Sequence, residues 1–255
     1  MSKNLHKMGG VGSPMTIISP CMRVPSSFEN MSSISKYGSV PAETLDIFYS
    51  PARLIVAGMS NSGKSQLCLE LIAQYHHRFA QIVICGVTSH PLEEHPEIKS
   101  KLVLNRDLVD PLDYHTSNEE AMLFVMDDLY TKALNNEKVC DLFTRGRHKN
   151  ISTILICQNV FGQGKWSRDV SLNASHFILT RIRDLSSVET LGRQFFGKSD
   201  SREFMEVYKS CMRSHAYPHL LIDLSPSTPP SVQLRTNIIR HQHEHEIAYQ
   251  WGRGE

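Results

Sequence analysis

Long apolar segments are missing from this sequence of 255 residues. Its apolar runs are far shorter than the roughly 20 residues that a membrane-spanning helix needs, and no signal-type segment opens the chain. Paired cysteine motifs are missing too: the six cysteines contain no CxxC pair. That absence excludes the usual zinc and dithiol motifs. We therefore expect an intracellular protein with reduced thiols and no membrane-spanning segment.

An excess of charge of either sign is also absent, because the formal net charge is only +1. Global charge therefore points to no partner and excludes none. With 40% hydrophobic residues, the chain can bury the core of one α/β domain. Composition therefore indicates the size of the fold, and local motifs must indicate the function.

Short apolar runs recur along the middle of the chain, separated by helical or polar segments. Continuous runs of this length indicate parallel strands that are buried on both faces. We predict strands over 53–57, 81–85, 123–126, 154–157 and 177–180, helices over 66–78 and 187–213, and an edge strand over 219–223.

The two ends differ from this pattern. Residues 1–44 are rich in serine and broken by glycine and proline, so we expect a mostly disordered segment. Residues 241–255 form a polar tail rich in histidine. We expect this tail to be solvated rather than to bind a metal, because no cysteine or carboxylate set completes a site. Residues 45–240 remain as the folded domain.

A phosphate-binding motif follows the first predicted strand. Residues 58–65, GMSNSGKS, match GxxxxGK[ST] in full. The glycines let backbone N–H groups surround phosphates, Lys64 supplies a positive charge and Ser65 offers a hydroxyl to Mg²⁺. The motif predicts that ATP and Mg²⁺ bind to a loop of nine residues: Gly58, Met59, Ser60, Asn61, Ser62, Gly63, Lys64, Ser65 and Gln66.

Two further elements carry polar side chains at the ends of predicted strands. Asp127 and Asp128 follow the third strand, and we assign Asp127 to Mg²⁺ and Asp128 to the attacking water. Asp128 could instead cap the following turn. Gln158 follows the fourth strand and is suited to hydrogen-bond the γ-phosphate and the water, although a plain strand-end amide is the alternative.

Basic residues precede and follow this fourth strand. Arg145 and Arg147 are candidates for a cation donated to a neighbouring subunit's site. A solvated basic turn is equally compatible, and Arg181 and Arg183 are competing candidates. Residues 131–168 contain seven Lys/Arg against two acids, and the loop 161–166 adds two aromatics. This composition favours contact with a DNA backbone, although an ordinary solvated charged face is the alternative.

Four segments in this order and spacing resemble the viral genome-packaging ATPases of the FtsK–HerA superfamily: GMSNSGKS, LFVMDD, RGRHKNISTILICQN and FILTRIRDLSSVETLG. The similarity is greatest to the poxvirus-like branch, which includes virophage, Maverick/Polinton and adintovirus-type elements, and it covers roughly residues 45–240. It implies an α/β fold of the additional-strand, RecA-like P-loop type, with a mostly parallel central sheet flanked by helices.

The resemblance also implies a function. Such proteins are ATP-hydrolysing motors that form a homo-oligomeric ring, a pentamer or hexamer, at a capsid portal or vertex and pump double-stranded DNA. The place of action would be inside the host cell, in the nucleus or cytoplasm, or with the virion. The Asp127-Asp128 pair departs from the Asp-Glu pair of cellular translocases, which puts only the assignment of the base in doubt.

Two other functions fit the same motifs. A P-loop small-molecule kinase would need an arginine-rich lid, and the sequence has no lid-like insertion. A nucleotide-binding assembly protein with little turnover is the third possibility. ATPase activity with and without long duplex DNA would discriminate among them.

Overall fold

The computed structural model describes residues 46–115, 117–214, 217–239 and 246–249. All of them lie in one compact unit that spans residues 36–255. The segment predicted to be disordered, residues 1–44, lies outside the described residues, as does most of the histidine-rich tail.

The described residues form one sheet of nine strands. In chain order they are β1 (Arg53–Ala57), β2 (Gln81–Cys85), β3 (Leu102–Asn105), β4 (Met122–Met126), β5 (Ile151–Cys157), β6 (His176–Leu179), β7 (Leu220–Asp223), β8 (Leu234–Thr236) and β9 (Ile247–Ala248). The spatial order is β3-β2-β4-β5-β1-β6-β7-β8-β9. The first six strands in that order are parallel, and β7, β8 and β9 pair antiparallel.

The strand β5 lies between β4 and the strand that precedes the phosphate-binding motif, β1. Ala57 of β1 is in register with Cys157 of β5, and Met126 of β4 is in register with Leu155. The carboxyl ends of these three strands therefore meet at one edge of the sheet. This arrangement confirms the predicted additional-strand fold with a mostly parallel sheet.

Helices flank the sheet: α1 (Lys64–Tyr75), α2 (Pro96–Lys99), α3 (Tyr130–Leu134), α4 (Glu137–Arg145), α5 (Ser167–Asn173) and α6 (Leu185–Ser214), the last kinked at Gly197. Alternate side chains of β1 enter two different cores. Leu54 packs with Leu71 of α1 on one face, and Ile55 packs with Phe143 of α4 on the other. Burying each such side chain contributes about 1.5–3 kcal/mol. In the described residues, no helix is long and apolar enough to span a membrane.

The antiparallel end of the sheet differs from the sequence-based prediction. The strand predicted at an edge, β7, lies between β6 and β8. Residues 246–249, assigned to the solvated tail, contribute β9, and Glu246 is buried against Arg235 of β8 with an N–O distance of 2.9 Å. The last two strands are only three and two residues long, so their hydrophobic pattern is too short to reveal them.

Candidate nucleotide-binding site

A cleft of about 800 Å³ opens at the carboxyl ends of β1, β4 and β5. Lys64 and Ser65 enter it from the loop after β1, Asp127 and Asp128 from the end of β4, and Gln158 from the end of β5. The structure therefore brings together the three predicted motifs, which are far apart in sequence.

The phosphate-binding loop is shaped by two backbone conformations and two hydrogen bonds. Asn61 and Gly63 have positive φ angles of 60° and 88°. The Gly58 N–H donates to the Cys157 carbonyl at 3.2 Å, and the Met59 N–H donates to the Arg181 carbonyl at 2.8 Å. These bonds fix the loop to the neighbouring strand ends, so that the N-terminus of α1 opens into the loop. The first N–H groups of a helix lack intrahelical partners and attract anions.

A small residue is required where the loop begins. A Cβ atom at Gly58 would lie 1.7 Å from Oγ1 of Thr180 and 2.9 Å from Oγ of Ser62. The two hydroxyls are themselves hydrogen-bonded at 2.6 Å, and Thr180 also donates to the Ala57 carbonyl at 3.2 Å. Thr180 thus supports the loop from beneath. Thr180 is absent from the predicted site, because only the pairing of β1 with β6 brings it there.

The predicted nucleotide-binding residues differ in whether their side chains line the cleft, point away from it or belong to the loop around it. The side chains of Ser60, Lys64 and Ser65 line the cleft. The Lys64 Nζ donates to the Met59 carbonyl at 2.9 Å, which holds its charge over the loop. In contrast, the Gln66 amide points along α1 and donates to Glu70 at 2.7 Å. The other predicted residues, Gly58, Met59, Asn61, Ser62 and Gly63, form the loop itself.

Ser65 and Asp127 form a pair of oxygen ligands suited to a divalent cation. The Ser65 hydroxyl donates to Oδ2 of Asp127 at 3.1 Å. No group of three or more His, Cys, Asp or Glu that could hold a metal occurs in the described residues. Mg²⁺ needs no such cage, since it takes one or two protein oxygens and completes its shell with phosphates and water. The residues present therefore fit Mg²⁺.

The second acid is held in an unusual conformation. Asp128 is exposed and has a φ of 54°, in the left-handed region that costs most residues about 1–2 kcal/mol. No side chain caps α3, and the Asp128 carboxylate makes no hydrogen bond with another described residue. The alternative role of Asp128 as a cap is therefore not seen. Such strain clusters at functional sites.

Other residues of the cleft were not predicted. Gly86 has a φ of 99°, and a Cβ there would lie 1.8 Å from the Asp127 carbonyl oxygen. It follows a buried strand directly, which is the only signal the sequence offers.

Tyr130 lines the cleft and donates to the Val160 carbonyl at 3.2 Å. Burial raises the pKa of Cys157 to about 12, partly offset by the Lys64 charge, so this thiol stays protonated.

Comparison with known proteins agrees with this geometry. The family model described as "Poxvirus A32 protein" matches residues 43–215. The chain belongs to the poxvirus A32 protein family. This membership confirms the predicted relationship to viral packaging ATPases of the FtsK–HerA type. A search of curated protein sequences finds no match.

Solved structures share the fold of this A32-family chain. The DNA-packaging ATPase B204 from Sulfolobus turreted icosahedral virus is 13% identical, with a TM-score of 0.50 over 75% of this chain and 99% of that one. The genome-packaging NTPase B204 from Sulfolobus turreted icosahedral virus 2, in complex with AMP, is 15% identical, with a TM-score of 0.50 over 73% of this chain and 97% of that one.

The predicted arginines of the A32-family chain do not lie at this cleft. Arg145 ends α4 and Arg147 lies in the turn before β5, whereas Gln158 follows β5. The seven residues of β5 separate the two ends by about 23 Å. Neither arginine can therefore reach the phosphate loop of its own chain. The competing candidate Arg181 lies on the loop's side, since its carbonyl accepts from Met59. Arg183 is exposed two residues further on.

Several basic residues of the run 131–168 have acidic partners. Lys132 pairs with Asp107 at 2.9 Å, Lys138 pairs with Asp110, and Arg145 lies 3.7 Å from Asp141. These ion pairs neutralise part of the predicted positive charge.

The loop 161–166 is also less flexible than its glycines suggest. A Cβ at Gly164 would lie 2.5 Å from Leu134, and Trp166 packs against the core. The Lys165 Nζ lies 4.6 Å above the centre of the Trp166 ring. Of this loop, Phe161, Gln163 and Lys165 are exposed.

Proposed function

We propose that this chain hydrolyses ATP and uses the free energy to move double-stranded DNA into a viral capsid. The observation that carries the proposal is the convergence of Asp127, Asp128 and Gln158 on the cleft that Lys64 and Ser65 enter. A phosphate loop alone serves many reactions, whereas two acids and an amide at neighbouring strand ends suit the activation of water.

Each side chain has a distinct role in this mechanism. Lys64 releases the Met59 carbonyl and binds the β- and γ-phosphate oxygens of ATP. Ser65 and Asp127 would hold Mg²⁺, which would neutralise charge on the phosphates. Asp128 accepts a proton from the attacking water, and Gln158 orients that water against the γ-phosphate.

Hydrolysis in this account requires more than one subunit. Arg145 and Arg147 lie at the opposite end of the sheet, so a cation from them must serve the site of a neighbouring copy. A homo-oligomeric ring, a pentamer or hexamer, meets that requirement. Such a cation contributes roughly 10³–10⁵-fold to turnover in comparable enzymes.

The partners follow from the relationship to packaging proteins. Double-stranded DNA would pass along the ring, and a capsid or portal-vertex protein would anchor it. The site of action would be inside the infected host cell, in the nucleus or cytoplasm, or with the assembling virion. Lys165 and Arg168 are exposed cations that can contact a phosphate backbone without reading its sequence.

The test is ATP turnover with and without long duplex DNA. We expect turnover to rise at least severalfold with DNA of several hundred base pairs and to fall again at high salt, because phosphate contacts are screened. A small-molecule kinase would show no response to DNA, and a nucleotide-binding assembly protein would turn over little ATP in either condition. Either outcome would contradict the proposal.

A further inference from the structure

A second cleft opens at the amino ends of the parallel strands. The phosphate loop lies at the opposite, carboxyl ends of the same strands. The volume of this second cleft is about 910 Å³. Arg53 enters it from the first residue of β1, Arg147 and His148 from the turn before β5, and a hydroxyl-bearing loop from residues 225–228 after β7. The same strand β1 thus carries the phosphate loop at one end and this cleft at the other.

Two arginines face the cleft without a carboxylate partner. Neither Arg53 nor Arg147 makes a side-chain hydrogen bond or ion pair with another described residue. The Nε of Arg53 is buried and has no hydrogen-bond partner. Burial lowers the pKa of Arg53, and the like charge of Arg147 lowers it further. Two guanidinium groups are therefore held within electrostatic reach of each other, an arrangement that an anion between them would relieve.

The acids that line the cleft are already paired. Asp46 pairs with Arg78 at the surface. Asp223 lies on the floor, where its Oδ2 accepts from Arg235 at 3.1 Å and its Oδ1 lies 3.2 Å from Nε2 of His176. Arg235 is 1% exposed, and its buried Nη1 also lacks a hydrogen-bond partner. The unsatisfied groups of this cleft are therefore donors, not acceptors.

We propose that this cleft is a second phosphate-binding site, held by Arg53 and Arg147. Guanidinium groups bind phosphate oxygens through paired N–H donors, and hydroxyls such as those of Ser225 and Ser227 add further donors. Two unpaired arginines match the charge of a terminal phosphate, or of two successive backbone phosphates, better than that of a single carboxylate. The phosphate can belong to the backbone of DNA or to a nucleotide held by a second copy of this chain.

The direct test uses inorganic pyrophosphate and the full chain with Lys64→Ala, which disables the phosphate loop. We expect calorimetry to detect pyrophosphate binding to this variant. Adding Arg53→Gln or Arg147→Gln should weaken that binding about 10- to 100-fold, since each removes charged hydrogen bonds. Arg53→Lys keeps the charge but loses the paired donors. Its affinity for pyrophosphate should therefore lie between that of Lys64→Ala alone and that of the chain that also carries Arg53→Gln. The exposed Arg202 is outside both clefts, and Arg202→Gln is the matched control that should change nothing.

The proposal is overturned if Lys64→Ala binds no pyrophosphate, or if Arg53→Gln and Arg147→Gln bind it as tightly as their parent while remaining folded. This readout needs neither hydrolysis nor DNA, so it can fail or succeed independently of the proposed function. The source of the phosphate is then assigned with Arg53→Gln in the otherwise natural chain. Weaker binding of duplex DNA identifies a DNA phosphate. Unchanged DNA binding, with loss of the ability to activate a neighbouring copy, identifies that copy's nucleotide.

Discussion

The hydroxyl of Ser65 donates a hydrogen bond to Asp127 at 3.1 Å, across 62 residues of sequence. This single contact joins the phosphate loop to the end of β4 and marks where Mg²⁺ would bind. Asp128, the next residue, makes no comparable contact among the described residues and has a positive φ. The two adjacent acids are therefore placed for different tasks.

We expect Asp127→Asn and Asp128→Asn to differ in their effects. Asp127→Asn should weaken Mg²⁺-dependent ATP binding, because it removes the charged oxygen beside Ser65. Asp128→Asn should bind ATP normally and hydrolyse it about 10²–10⁴-fold more slowly, because it removes a positioned base. Nucleotide binding with and without Mg²⁺, followed by single-turnover hydrolysis, separates the two. Identical behaviour of the two variants would refute the division of roles.

Gly63→Ala should abolish nucleotide binding. Its φ of 88° disfavours a side chain by about 1–2 kcal/mol, and the new Cβ would lie 2.9 Å from Cδ1 of Tyr217. Gly197→Ala is a control for backbone strain away from the cleft, because Gly197 has a φ of 81° and a ψ of 178°, which only glycine adopts readily, and no atom within 4 Å of the Cβ position. Both variants should lose stability in thermal denaturation, but only Gly63→Ala should fail to bind an ATP analogue. Normal binding by Gly63→Ala would show that the loop tolerates a different backbone.

Mixing inactive variants tests the cation supplied by a neighbour. Chains with Arg145→Ala and Arg147→Ala together should be inactive, as should chains with Lys64→Ala. A mixture should recover part of the turnover, because some sites combine an intact phosphate loop with an intact neighbouring arginine. Single substitutions then identify which arginine acts. If mixed oligomers form but no turnover returns, either the cation comes from Arg181 or Arg183, or no neighbour supplies one.

The buried ion pairs of β7 and β8 predict a pH dependence of stability. Burial by itself would raise the pKa of Asp223, but the hydrogen bond from His176 and the charges of His176 and Arg235 hold it well below its usual value. The stabilisation is therefore present above pH ~4 and is lost as pH falls below that value, toward the depressed pKa.

Asp223→Asn should cost about 1.5–3 kcal/mol at pH 7, because Arg235 keeps Glu246 but loses one of its two charged hydrogen-bond partners, and His176 loses a charged acceptor. It should also show a smaller further loss between pH 5 and pH 3 than the natural chain. Asp107→Asn, which breaks the exposed pair with Lys132, is the control and should change stability little. Equal pH profiles for the natural chain and Asp223→Asn would contradict this assignment.

The sequence predicts the features that are local in the chain. The phosphate loop, the two acids after β4 and the amide after β5 are each readable within a few residues, and the apolar runs locate the central strands. Contacts that depend on strand pairing are not readable in this way. Thr180 reaches the loop only because β6 lies beside β1, and Gly86 reaches Asp127 only because β2 lies beside β4.

The direction in which a side chain points is equally hard to predict from sequence. Arg145 and Arg147 are two residues apart and have the same chemistry, so the sequence suggests one basic cluster. In the structure, α4 ends at Arg145 and a 3₁₀ turn carries Arg147, and two residues of a helical turn rotate a side chain by roughly 200–240°. Arg145 consequently approaches Asp141, whereas Arg147 lines the cleft with Arg53.

The central claim, that ATP hydrolysis at this site moves double-stranded DNA, is tested most directly by displacement of a third strand. A labelled oligonucleotide bound as a triplex at one end of a long duplex is released only when a motor moves along that duplex. The natural chain should release it with ATP but not with a non-hydrolysable analogue. Folded Lys64→Ala should release none, because Lys64 serves phosphate and not the core. Rapid ATP turnover without any release of the third strand, or release by Lys64→Ala, would contradict the account.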